Sequence, residues 1–150
     1  MKIALLLIPA VVSAVSACAE DAVDRMIGTW KYNPQQSHDE TTTAGQWTFE
    51  KTGPYSWRHV SDQTLKSGEK RHTVTTQICD GAEHHNEGRP AGVTSICDPK
   101  TLSFVAKTDG KIGMEVKTEF SPDGRTVTYH RKLLNQEGKW VEDVRVWDKQ

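Results

Sequence analysis

The sequence lacks a surplus of either charge. Its 150 residues carry 19 lysines and arginines against 20 aspartates and glutamates, a net charge of -1. That balance supplies neither a basic surface for nucleic acid nor an acidic tail. Aromatic residues are few, at 7%, and there are only 3 cysteines. Beyond residue 17 no stretch is long and apolar enough to cross a bilayer as a helix. Internal repeats, linkers and low-complexity tracts are missing. So are the G-x-S-x-G elbow of a serine nucleophile and any glycine-rich phosphate loop. Six histidines and twenty carboxylates offer no recognisable catalytic pairing. These absences exclude a multi-domain enzyme, a polytopic helical membrane protein and a disordered chain. What remains is one small non-enzymatic domain with no sign of a cofactor.

The N-terminus reads as an address. Met1-Lys2 gives a short positive region, Ile3 to Val15 an apolar stretch too short to span stably, and Ser16-Ala17 the small residues of a cleavage region. We therefore set 1–17 apart as a signal peptide and 18–150 as the folded domain. Val15-Ser16-Ala17-Cys18 resembles the lipobox of bacterial lipoproteins, which implies cleavage before Cys18 and lipidation of its thiol. Ala17-Cys18-Ala19 is also an ordinary A-x-A cleavage site. With lipid on Cys18, and with Ala19 rather than Asp following it, the expected location is the bacterial envelope. The chain would be anchored at the outer membrane, facing the periplasm, and a lipid would be its only membrane contact.

Cysteine arithmetic agrees with export. Setting Cys18 aside leaves Cys79 and Cys97 as an even pair, and in an oxidising compartment a disulfide is the default. Closing a loop of that length would contribute about 3 kcal/mol on the chain-entropy estimate. His84 and His85 lie between the two cysteines, so all four are metal-ligand types. Adjacent histidines on an extended chain point to opposite sides, however, and a zinc site needs its ligands to converge. The pattern favours a disulfide with two exposed histidines and no metal. His38-Asp39-Glu40 is read as a polar loop.

The remaining chain has a period of two. A short helical turn is expected over 20–26, with Ala22, Val23 and Met26 at helical spacing. Strand-like alternation follows in 46–50, 55–59 and 72–78, and again from Leu102 to Lys107. Ile112, Met114, Val116, Thr118 and Phe120 alternate most clearly, then Val127, Tyr129 and Leu133, then Val144 and Val146. Lys51–Pro54, Thr108–Gly110, Ser121–Gly124 and Asn135–Gly138 read as turns. The stretch from Asp80 to Pro99 is the least regular. Short strands with frequent tight turns predict an all-β antiparallel up-and-down barrel.

Gly28-Thr29-Trp30 at the start of the first strand resembles the G-x-W signature of lipocalins. Gly28–Asn33, Ser121–Thr128 and Val144–Gln150 together resemble a group of small exported bacterial proteins regarded as lipocalin-like. The resemblance covers both ends of the domain and fits poorly between Cys79 and Pro99. It implies an eight-stranded barrel in which Trp30 plugs one end. It also implies that an arginine of the last strand, here Arg145, packs over the indole. A cation in that position would be worth about 0.5–2 kcal/mol. No catalytic residues come with the resemblance.

Trp47, Phe49, Tyr55 and Trp57 fall on like-facing positions of one hairpin. They form either core packing or the aromatic wall of a ligand cavity, and His59 and Thr76 could add polar groups to such a wall. The expected role is binding of a small apolar or amphipathic molecule inside the barrel. The alternative is a filled barrel that serves as an envelope interaction or structural lipoprotein.

Overall fold

The computed structural model describes residues 22–150. Residues 1–17, read above as a signal peptide, and Cys18 lie outside them. Alternating side chains and tight turns give ten strands: β1 (Gly28–Tyr32), β2 (Thr42–Gly53), β3 (Ser56–Leu65), β4 (Lys70–Ile78), β5 (Glu83–His84), β6 (Val93–Cys97), β7 (Phe104–Thr108), β8 (Lys111–Phe120), β9 (Thr126–Leu134) and β10 (Trp140–Lys149). Each pairs antiparallel with its sequence neighbours, except across the β4–β5 break, and β1 also pairs with β10. The result is an antiparallel up-and-down barrel. It has ten strands where the lipocalin resemblance implies eight, because the irregular stretch from Asp80 to Pro99 contributes β5 and β6. The β7–β8 hairpin turns on Asp109 and Gly110, both at positive φ (49° and 78°). A two-residue turn with that geometry matches the twist of its flanking strands.

The barrel closes between β4 and β5 through a three-residue strap. The Thr76 amide donates to Glu87 O at 3.0 Å, and the Ile78 amide donates to the Asn86 side-chain oxygen at 3.0 Å. Buried Asn86 in turn donates to Ser95 Oγ on β6 at 2.7 Å. Gly88 runs so close to β4 that a Cβ there would lie 2.1 Å from Val74 O, and its φ is +81°. Only glycine fits that approach. The expected disulfide joins Cys79 to Cys97 across the same seam, with Cα atoms 4.6 Å apart.

One end of the barrel is filled. The helix α1 (Ala22–Met26) presents buried Val23 and Met26 to the interior. Trp30 is 0% exposed and donates its indole N–H to Met26 O at 2.8 Å, so it does plug this end. The cation near it is Lys149, whose Nζ lies 5.2 Å from the ring centroid, and not Arg145. Register explains the difference. Trp30 pairs with Lys149. Arg145 lies four residues earlier on β10, about 13 Å away along the strand, with Trp147 between them on the same inner face. Trp147, also 0% exposed, stacks on Trp47 at 3.6 Å between centroids. Gly45 makes room for it, since a Cβ there would meet the Trp147 ring at 3.0 Å.

Candidate functional site

Alternation along the strands decides what faces the interior. On β3 the inward residues are Trp57, His59, Ser61 and Gln63. On β4 they are Thr73, Thr75 and Gln77. With Trp47 and Phe49 of β2 and Phe104, Met114, Val116 and Tyr129 opposite, they enclose a chamber of about 190 Å³. A wider mouth of about 430 Å³ opens between β6 and β9, lined by Val93, Ala106, Ile112 and Leu134 among others. It lies toward the β7–β8 hairpin and therefore away from α1, whose Arg25 covers Phe120 at the other end of β8. The two spaces share Gln77, Arg89, Phe104 and Met114 in their walls.

Of the aromatic wall read from the sequence, Trp47, Phe49 and Trp57 line the chamber together with His59. Tyr55 does not. Gly53 pairs with Ser56, so Tyr55 falls in the two-residue turn and leaves the strand. Its side chain is 50% exposed, and its carbonyl accepts from the Cys79 amide at 2.7 Å. Thr76 also faces outward, bonded to Glu87 through its hydroxyl at 3.4 Å, and Thr75 takes the inward position beside His59. A one-residue shift of parity flips the face. Exposed Val74 is on the outer face with Thr76.

His59 is held by aromatic contacts. Its ring stacks on Phe49 with centroids 4.4 Å apart and meets the edge of Trp47 at 5.2 Å. Burial penalises the imidazolium, and the positive charge of Arg89 adds to that effect. Together they lower the His59 pKa from 6.5 to about 3. The ring is therefore neutral at physiological pH. Its Nε2 is buried and has no hydrogen-bond partner among the described residues, and the same holds for Thr75 Oγ1 and Trp47 Nε1.

Three arginines reach the chamber. Arg131 makes a two-pronged pair with Asp143. Arg145 pairs with Asp39 at 2.7 Å and donates to Thr41 Oγ1 at 3.1 Å. Among the described residues, no carboxylate pairs with the Arg89 guanidinium within 4.0 Å. Arg89 follows the closing strap and stands at the junction of mouth and chamber. The residue is exposed on its outer side, yet its neighbours desolvate the guanidinium enough to lower its pKa. Nothing in the sequence marked it beyond its place between Gly88 and Pro90.

The histidines near the cysteines are engaged locally. His84 Nε2 lies 2.8 Å from Asp80 Oδ1, and His85 Nδ1 lies 2.9 Å from Val93 O. His38 bridges to Val144 through its backbone, and Asp39 serves Arg145.

No protein-family model matches the chain, and none of the curated proteins does. Solved structures do. The crystal structure of the wild-type fluorescent protein UnaG superposes with a TM-score of 0.60 at 16% identity, covering 85% of this chain and 99% of that one. A point mutant of the same protein gives 0.58 at 16% identity over 85% and 98% of the two chains. At that identity the likeness establishes a shared barrel fold.

Proposed function

We propose that this protein binds one small amphipathic molecule inside its barrel, at the bacterial envelope, held there by lipid on Cys18. The observation that carries the binding reading is the chamber beneath the mouth. It combines an aromatic wall with buried polar atoms that have no protein partner, the composition expected of a small-molecule site. A barrel filled throughout, the structural-lipoprotein alternative, would have packed this space as densely as the α1 end. The chamber alone would hold about six waters at 30 Å³ each, so a larger ligand would extend into the mouth. The envelope reading rests on the signal-like N-terminus and lipobox resemblance, with the Cys79–Cys97 disulfide consistent with export. No residue set for catalysis supports an enzyme.

The test is to fill the chamber. Ser61 is small, buried and in the chamber wall, so Ser61→Phe would occupy it. Wild-type protein should give saturable one-to-one signals with members of a panel of small amphipathic fluorophores. Ser61→Phe, checked for folding by circular dichroism, should give none. Binding that survives the substitution, or no saturable binding by any dye, would overturn the reading.

A further inference from the structure

We infer that Arg89, with His59 and Thr75, forms a subsite for the carboxylate of that ligand, so that the barrel selects monocarboxylates over neutral amphiphiles. The inference rests on the cavity-binding reading and sharpens it. His59 and Thr75 sit directly opposite each other on β3 and β4. Both line the chamber, and Arg89 lines the chamber and the mouth. The groups around His59 that lack a partner among the described residues can each donate. Arg89 carries N–H donors and no acceptor, Thr75 has a hydroxyl, Trp47 an indole N–H, and neutral His59 donates when its proton is on Nε2. A site where one arginine without a carboxylate partner meets several groups that can donate is matched by an acceptor with negative charge. A carboxylate accepts several such bonds, and charge-assisted bonds are the stronger kind.

The other cations do not compete for this role. Arg131 and Arg145 already hold Asp143 and Asp39, and Lys111 stands at the exposed rim of the mouth. Arg89 alone reaches the chamber without a carboxylate among the described residues. A small acidic side chain is missing where the fold could have placed one: the inward positions nearest His59 are Trp57, Ser61 and Thr75. With its carboxylate at Arg89, a ligand would lay its apolar part against Phe104 and Met114, which both spaces share.

The experiment compares linear carboxylates from butanoate to dodecanoate with the alcohols of matching length, by calorimetry on wild type, Arg89→Gln and Arg89→Lys. Among the described residues Arg89 makes no side-chain hydrogen bond or ion pair, so both variants should fold, as thermal melts will check. Wild type should favour the best carboxylate over its alcohol at least tenfold. Arg89→Gln should abolish that preference, and Arg89→Lys should restore part of it. Bound carboxylate should also raise the His59 pKa, read by NMR, because an adjacent negative charge favours the imidazolium. Equal affinity for acid and alcohol in wild type would overturn the subsite and leave the cavity reading intact. A carboxylate preference unchanged in Arg89→Gln would move the anion elsewhere and also overturn it. No binding of either series would overturn both.

Discussion

Acid should destabilise this protein through His59 in a way that one substitution can isolate. The ring packs against Phe49 and Trp47 and feels the charge of Arg89, and its pKa falls from 6.5 to about 3. In the unfolded chain the ordinary value near 6.5 returns. Between those two values the unfolded state binds a proton that the folded state does not. Stability therefore falls as pH drops below about 6.5 and levels off below about 3. Each pH unit within that window costs about 1.4 kcal/mol. The loss from this one residue is thus about 2 kcal/mol at pH 5 and about 3 kcal/mol at pH 4. Carboxylates such as Asp39 titrate lower and add their own dependence, so the comparison must be differential. Urea unfolding of wild type and His59→Phe at pH 7, 5 and 4 provides it. The stability gap between the two proteins should shift by about 3 kcal/mol in favour of the variant as pH falls from 7 to 4. Parallel curves would mean that His59 titrates normally in the folded protein, and that its burial against Phe49 and Trp47 is wrong.

Four further outcomes follow. Non-reducing peptide mapping should find Cys79 linked to Cys97, and replacing both with alanine should cost roughly 2–4 kcal/mol; two free thiols in the mature protein would contradict this. Asn86→Ala leaves the Ile78 amide without its acceptor at the barrel seam and should cost about 1–3 kcal/mol by chemical denaturation, whereas a neutral effect would mean that the strap does not close the sheet. Trp30→Ala should cost about 3–5 kcal/mol; a double-mutant cycle with Arg145→Ala should be additive within about 0.5 kcal/mol, while the cycle with Lys149→Ala should show coupling. An alkyne fatty acid should label the protein in cells and Cys18→Ser should abolish the label, while an unlipidated wild-type product starting at Glu20 would refute lipidation.

Much of the barrel is legible in the sequence because period-two alternation and turn chemistry are local signals. Ile112 to Phe120 and the Ser121–Gly124 turn show both plainly. The β5 and β6 strands are not legible in that way. Glu83–His84 is too short to display a period, and its place is fixed by the disulfide, Asn86 and Gly88, which act across the seam. The aromatic wall was legible up to the turn, where Tyr55 left the strand. The lipocalin resemblance points to Arg145 in the last strand, but register, which depends on the whole β10 hairpin, puts Lys149 opposite Trp30. Thr75 rather than Thr76 faces inward, which a run of threonines does not reveal because it carries no parity. Arg89 was invisible, since a lone arginine in a loop acquires meaning only when the strap carries it over the mouth.

The most direct test of the central claim is native mass spectrometry of the protein purified from its own host without detergent exchange of the interior. A retained small molecule in one-to-one ratio, released on denaturation and carrying a carboxylate on an apolar body, is the expected result. Apo protein at every preparation, combined with no saturable uptake of any amphiphile offered back to it, would contradict a ligand-binding barrel.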